Sequence, residues 1–307
     1  LKFDDYVRNN RGKKGRFWDE TPGSWKQIDR DYKPSDIFSG KDLEKYEEWE
    51  SKYGSKLHPA LGGLLTEEEW RAAQDSALNA HYTDRGVIEA MWGIAERLGF
   101  KGGKVLEPGA GVGHFFGLMP ENLLKDSKLS GVELDPITGR ILGKLYPDAD
   151  IQVTGFEDAK RINDNSFDLV ISNFPFGNYP VTDKKHPAYS GWSVHNYFFA
   201  RSLDAVKPGG LVISVTSHYS MDTTKDGKIR EYLAGKADLV GAIRLPGTAF
   251  EKNAGTSVTT DILIFRKKTG ADYPNPQNWR LVLPVKSIEG DAVKVNEYFI
   301  NNPKMVM

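Results

Sequence analysis

Three stretches decide how this chain folds: K-V-L-E-P-G-A-G-V-G-H-F at Lys104–Phe115, G-V-E-L-D at Gly131–Asp135, and F-D-L-V-I-S-N-F-P-F-G at Phe167–Gly177. Each holds an apolar run of strand length that ends in acids, glycines or an asparagine. Their spacing is that of successive β-α-β units, and strands alternating with helices imply a mainly parallel sheet. Ligands of open α/β sheets sit in the crevice outside the carboxyl ends of the strands. The three polar ends should therefore converge on one crevice.

The flanking sequence extends the pattern. Val87, Ile88, Met91, Ile94, Ala95 and Leu98 recur at helical spacing, which predicts a helix opened by Thr83 as N-cap and stopped by Gly99. Strands are expected to end at Val105–Leu106 and to run over Ser130–Leu134, Ile151–Val153 and Phe167–Ser172, with a helix over Pro136–Leu145. A helix from His195 to Val206, a turn at Lys207-Pro208-Gly209-Gly210 and a strand over Leu211–Thr216 follow. Ile229 to Ala237 reads as a helix and Leu239–Arg244 as a strand. Val258–Lys267 alternates β-branched and apolar residues and reads as a last strand, antiparallel to its neighbour. The expected class is α/β: a doubly wound, mainly parallel Rossmann-like sheet with an antiparallel last strand and a helical or irregular N-terminal extension. The expected divisions are an extension over 1–75, the α/β domain over 76–268 and a loop-like tail with weak strand signals over 269–307.

The extension is polar and spotted with aromatics. Its basic cluster Arg11–Arg16, followed by Phe17 and Trp18, reads either as a solvated arm or as a phosphate-contacting segment with a stacking ring. Asp42–Tyr53 is charge-laced and helical in pattern, and Thr66 with Glu69 forms a capping box for a helix through Trp70 to Leu78. At 307 residues the chain can bury one large core with an appendage. Without cysteine it has no disulfide, thiolate nucleophile or thiolate zinc site, and its five most conspicuous histidines, His81, His114, His186, His195 and His218, lack ligand spacing. No metal is expected. The chain has no apolar run long enough to span a bilayer and no secretory signal pattern, which fits a cytoplasmic setting. A net charge of −1 means that nucleic-acid contact must come from local clustering. The first residue is Leu and the chain stops after a polar stretch, so an excised domain is expected.

The polar strand ends carry the chemistry. Glycines in E-P-G-A-G-V-G allow a cofactor to lie against the backbone, as they do in dinucleotide folds. Glu107 ahead of the turn separates the two cases, because a carboxylate repels a pyrophosphate and attracts an ammonium or sulfonium. Glu133 is placed to accept both hydroxyls of a ribose. The pair favours S-adenosyl-L-methionine over a nicotinamide dinucleotide. In Gly155-Phe156-Glu157-Asp158, Glu157 is the preferred acceptor for the exocyclic amine of the cofactor's adenine, with Phe156 packing on its ring; a solvated turn is the plain alternative. In Asn173-Phe174-Pro175-Phe176, the Asn173 amide and the carbonyl that follows can accept from an NH2 group, and an aromatic at Phe176 can stack on a flipped base.

These motifs resemble those of the N6-adenine DNA methyltransferases in which the helix before the glycine turn also serves the cofactor site, and more narrowly the methylase modules of phage and conjugative-element methylase-helicase proteins, through S-A-L-N-A-H-Y-T and L-Y-P-D-A-D-I. The likeness covers Leu78 to Lys268. It implies a methyltransferase sheet and a cofactor site of Tyr82, Thr83, Glu107, Pro108, Gly109, Gly111, Glu133, Leu134, Phe156, Glu157 and Asn173. It implies catalysis by Asn173, Phe174, Pro175 and Phe176, with Phe176 and Phe250 stacking on the two faces of the base. Expected partners are DNA and a separate sequence-recognition or helicase domain, with no membrane. Two positions depart from the family pattern: Phe174 stands where proline is usual, and Asp84 follows Thr83 where proline is common. No second globular domain is expected after the last strand, so the recognition domain is expected to be missing, shrunk into the arm before Ser76, or carried elsewhere in a longer protein or by a partner. Methylation of RNA adenine or of a protein glutamine, or a non-catalytic DNA- or cofactor-binding module of an anti-restriction or helicase protein, are the alternative readings.

Overall fold

The computed structural model describes residues 16–18, 25–27, 83–177, 179–247, 259–270, 277–286 and 292–307. The chain divides into two compact units, Leu1–Ala80 and His81–Met307. In the first, strands β1 (Arg16–Trp18) and β2 (Trp25–Gln27) pair antiparallel. The capping box at Thr66, the two helices expected over 42–78, Tyr82 and Phe250 lie outside the described residues.

The second unit is built on a seven-stranded sheet. Its strands are β3 (Gly103–Pro108), β4 (Ser127–Glu133), β5 (Asp150–Val153), β6 (Phe167–Asn173), β7 (Val206–Ser217), β8 (Ala237–Leu245) and β9 (Thr260–Lys267), in the order β5-β4-β3-β6-β7-β9-β8. All neighbours are parallel except β9, which runs antiparallel to both β7 and β8. The chain steps outward from β3 to β4 and β5, then returns to place β6 on the other side of β3. That reversal opens a crevice between the carboxyl ends of β3 and β6.

Alternation along the central strands supplies two cores. Leu169 and Ile171 join Val105, Ile213, Val215, Ile262 and Ile264 on one face, while Val170 joins Leu106, Val212, Leu263 and Phe265 on the other. Helix α1 (Arg85–Arg97) covers the first face with Ile88, Met91, Trp92 and Ala95 and ends at Gly99, whose φ is +93°. Its N-cap is Asp84, not the expected Thr83: the Asp84 carboxylate accepts from Gly86 N at 2.8 Å. A carboxylate one position on competes well for exposed amides and suits the helix dipole. Short helices α2 (His114–Gly117) and α3 (Glu121–Leu124) lead into β4. Helix α4 (Pro136–Leu145) opens with Pro136 and is capped by Asp135, which accepts from Ile137 N and Thr138 N. Helix α5 (Val194–Ala205) is buried along almost its whole length, lying on the second face. The turn expected at 207–210 is an irregularity within β7: pairing jumps from Phe167↔Val206 to Leu169↔Leu211, with Gly209 at φ +81°.

Helices α6 (Tyr219–Asp222) and α7 (Gly227–Lys236) precede β8. The tail expected to be loop-like holds a hairpin of β10 (Val282–Lys286) and β11 (Ala292–Asn296), then helix α8 (Glu297–Asn301). Buried Asn296 pins it, donating to Met221 O and Trp279 O from its side chain and to Asp222 Oδ1 from its backbone. Asp222 also meets Arg244 at 2.8 Å, and Arg244 makes a two-point contact with buried Asp261 at 2.9 and 3.0 Å. The ends of β8 and β9 are thereby locked together at Leu245↔Thr260.

Candidate active site

The crevice between β3 and β6 is floored by the glycine turn. Gly109, Gly111 and Gly113 have φ of +72°, +56° and +84°, a run of left-handed residues that only glycine adopts without strain. Gly109 N and Ala110 N both donate to Val132 O, which ties the turn to β4. A Cβ at Gly111 would meet nothing within 4 Å, so this backbone faces open space. Gly113 is the opposite case: a Cβ there would lie 2.5 Å from Tyr146 Cε2 and 2.6 Å from Leu142 Cδ1. Tyr146 closes the same corner by donating its hydroxyl to Gly113 O at 2.8 Å. Gly113→Ala combines a left-handed alanine with a steric overlap, and a destabilisation of about 2–5 kcal/mol is expected by thermal or denaturant unfolding. A loss below about 1 kcal/mol would contradict this packing.

Two carboxylates share the crevice. Glu107 is 2% exposed, and its Oε2 is buried with no hydrogen-bond partner among the described residues. Burial first, and the neighbouring Glu133 charge second, push its proton affinity well above the ordinary carboxylate range. Glu133 is itself pushed up by burial, while backbone amides pull it back. Its Oε2 accepts from Gly111 N at 2.7 Å and its Oε1 from Asp135 N at 2.8 Å, so it shapes the glycine turn as well as facing the crevice. Leu134, beside it, is 73% exposed. A buried acid with an unsatisfied oxygen beside a second acid is a place where a bound cation gains and a free carboxylate loses. The open backbone at Gly111 and this acid pair fit the S-adenosylmethionine ammonium and sulfonium.

The tetrad lies against the turn. A Cβ at Gly109 would sit 3.8 Å from Pro175 Cδ, within van der Waals reach. Ser172 Oγ donates to Pro108 O at 2.8 Å, fastening β6 to β3 just below the site. Asn173 is half-buried at the end of β6, and Phe176 is partly buried against the α1 core. Phe174 is 1% exposed, and its ring packs on Phe199 and Phe198 at centroid separations of 4.8 and 5.6 Å. Of Phe174, only the backbone is available to a substrate. Its N–H donates to Val215 O at 3.0 Å, so packing and this bond supply the stiffness that a proline ring would otherwise give.

The remaining expected residues divide. Glu157 is partly buried in a short 3-10 turn, its carboxylate folded against Gly155, while Asp158 is exposed. Phe156 is 3% exposed, its ring 5.1 Å from Phe198 and 6.2 Å from Tyr197, so it belongs to the core instead of offering a face to an adenine. Thr83 is buried ahead of α1.

Sequence reasoning misses several residues around the tetrad. Segment 179–193 loops out after it and closes on itself, with Pro180 pairing Ser193 and Val194 N donating to Tyr179 O at 3.0 Å. Buried Asp183 organises the loop, accepting from Lys185 N, His186 N and the Tyr197 hydroxyl while meeting His186 Nδ1. These contacts hold its carboxyl below the usual range, against the opposing effect of burial. Tyr179 stands over Gly177, where a Cβ would lie 2.6 Å from its Cε1. The one local signal is T-D-K-K-H, an Asp two and three residues ahead of amides it can cap.

Among the described residues no helix is long and apolar enough to cross a membrane, and no group of three or more His, Cys, Asp or Glu could hold a metal ion. Comparison with known proteins agrees with the fold. A putative class I S-adenosylmethionine-dependent methyltransferase from Listeria monocytogenes superposes with a TM-score of 0.55 at 17% identity, covering 76% of this chain and 74% of that one. The methyltransferase subunit of a type I restriction-modification system from Streptococcus thermophilus gives 0.52 at 17% identity, over 67% of this chain and 51% of that one. Defense against restriction protein B of Escherichia phage P1 is 32% identical over 193 residues, which are 62% of this chain and 8% of the phage protein. The N-6 DNA Methylase family matches residues 71–279, more than half of the sequence and all of the crevice, and the chain belongs to that family.

Proposed function

We propose that the chain transfers a methyl group from S-adenosylmethionine to the N6 amine of adenine in DNA, as one module of a longer protein. The observation that carries this reading is the closeness of two motifs at the carboxyl ends of β3 and β6. The turn that follows buried, unsatisfied Glu107 lies beside the N-F-P-F tetrad, where a Cβ added at Gly109 would stand 3.8 Å from Pro175 Cδ. When bound, S-adenosylmethionine supplies an electrophilic methyl group on a sulfonium centre. Glu107 would face its cationic end, Glu133 its ribose and Glu157 its adenine amine. The Asn173 side chain and the Phe174 carbonyl would accept from the target NH2 and enrich its nitrogen, while Phe176 would stack on the base extruded from the duplex. The chemistry asked of the protein is positioning and polarisation, without a strong base.

Titration with S-adenosylhomocysteine by calorimetry should give saturable binding to the folded chain; its absence would sink the cofactor half. Radiolabelled methyl groups should appear in duplex or single-stranded DNA. Label found in RNA or in a glutamine-bearing peptide, and never in DNA, would replace the substrate. The phage relative is named for defence against restriction, which favours a second reading in which the module serves such a role by occupying DNA. An Asn173→Ala variant decides between them: a binding role survives it and a catalytic one does not.

A further inference from the structure

The exit of the tetrad is held by side chains to which the proposed chemistry gives no part. Gly177, the residue after Phe176, lies with its carbonyl oxygen 3.2 Å from His195 Nδ1. The other ring nitrogen, Nε2, is 3.3 Å from Ser193 Oγ. Ser193 Oγ accepts from Asn196 Nδ2 at 2.9 Å, and the same amide donates to Asp226 Oδ2 at 3.1 Å. His195 and Asn196 occupy the first turn of α5 and are 9% and 3% exposed.

The two ends of this hydrogen-bond series dictate its direction. A carbonyl oxygen only accepts, so His195 Nδ1 carries a proton. In the neutral ring Nε2 is then an acceptor, and the Ser193 hydroxyl donates to it. The Asn196 amide nitrogen only donates, which Ser193 Oγ and Asp226 both accommodate. Every donor has an acceptor when the ring is neutral. A second ring proton on Nε2 would leave the Ser193 hydroxyl hydrogen without its partner. Burial also disfavours the cation and lowers the histidine's proton affinity, although Asp226 opposes it.

We propose that His195, as the neutral tautomer protonated on Nδ1, is a positioning residue for methyl transfer: it anchors the Gly177 carbonyl and so fixes Phe176 and the turn that follows Asn173. The start of that turn is fastened by Phe174 N on Val215 O; His195 fastens its end. Both anchors matter because a shift of about 1 Å in a substrate-positioning group can cost on the order of a hundredfold in rate. The inference rests on the reading of N-F-P-F as the amine site, and the two can fail separately.

The test uses the whole chain and three variants. His195→Ala and His195→Phe should lower kcat for DNA methylation by about ten- to a hundredfold, with S-adenosylhomocysteine affinity within about threefold of wild type. His195→Asn keeps a donor near the Nδ1 position and should recover most of the loss, to within about threefold of wild type. Long-range nitrogen–proton NMR, with the His195 signal identified by its disappearance in the Asn variant, should show Nδ1 protonated and Nε2 bare. An Ala variant with wild-type kcat, an Asn variant as impaired as Ala, or a ring protonated on Nε2 would each overturn the proposal. A wild-type chain that methylates no DNA would overturn the functional reading instead, and the tautomer then judges the anchoring on its own.

Discussion

Asn173→Ala should lower the single-turnover rate of DNA methylation by about a hundred- to a thousandfold, the loss typical when one preorganised polar group is removed from a reacting centre. The geometry explains why the effect should fall on chemistry and not on folding. Asn173 sits at the last position of β6, paired with Val215, and the backbone around it is fastened independently of its side chain. Ser172 bonds to Pro108 below it, and Phe174 is sunk in the core above it. Truncating the amide leaves these contacts in place, so the variant should remain folded. S-adenosylhomocysteine affinity should change less than the rate does. Quench-flow with labelled methyl donor, beside calorimetry and thermal unfolding, separates the three quantities. A variant that retains more than about a tenth of the wild-type rate would remove Asn173 from the chemistry.

The second large effect belongs to Glu107. Glu107→Gln should weaken S-adenosylhomocysteine binding by about ten- to a hundredfold, the magnitude of a hydrogen bond to a charged group. The same change should stabilise the ligand-free protein at neutral and alkaline pH. The sign follows from proton linkage. The folded-state proton affinity is raised above that of an ordinary glutamate, whose value is 4.5, so the folded form binds more protons than the unfolded one in the window above 4.5. Stability is therefore lost as pH rises through that window and falls no further above the raised value. Glutamine carries no such dependence, and the slope of unfolding free energy against pH should flatten in the variant. In the wild-type protein, a bound cation favours ionised Glu107. Below the raised value, ligand binding should then release a proton, seen as an apparent binding enthalpy that changes with the ionisation enthalpy of the buffer. If the pH slope is the same in the wild-type protein and the Glu107→Gln variant, buried Glu107 is not the group responsible.

Much of this arrangement is legible in the order of the amino acids. Strand ends are readable because a buried parallel strand is an unbroken apolar run, and its polar terminus must lie at the sheet edge. That logic places Glu107, Glu133 and Asn173 at one edge of the sheet, on adjacent strands once β3 has β4 and β6 as its two neighbours. The α1 face is legible through its helical period, but its cap is not: Thr83 and Asp84 are both good caps, and backbone geometry chooses between them. Phe156 escapes sequence reasoning for a related reason. An aromatic beside an acid after a strand can face a ligand or the core, and the 3-10 turn of Phe156–Asp158 sends it to the core. The C-terminal hairpin reads only as weak strand signals in a loop-like tail because its strands are short and part-exposed, with Leu283 and Val293 each 43% exposed. What holds it is Asn296, bonded to residues 74 and 75 positions away, and no local pattern reports a contact of that range.

The antiparallel course of β9 has a consequence for how such a domain can change. Because β9 runs against its neighbours, the chain leaves β8 at Leu245 and re-enters the sheet at Thr260, and both points lie on the carboxyl edge where the crevice opens. A parallel strand would have delivered its leading connection to the far edge. The connection of residues 246–259 therefore starts and ends on a rigid two-point mount, Arg244 on Asp261. Doubling the length of a connection of this kind costs only about 0.6 kcal/mol in closure entropy. The tetrad has no such latitude, since its neighbours Ser172 and Phe174 are committed to the interior. The sheet thus keeps the end of β6 fixed, while the connection from β8 to β9, mounted on the same carboxyl edge, tolerates changes in length at little cost.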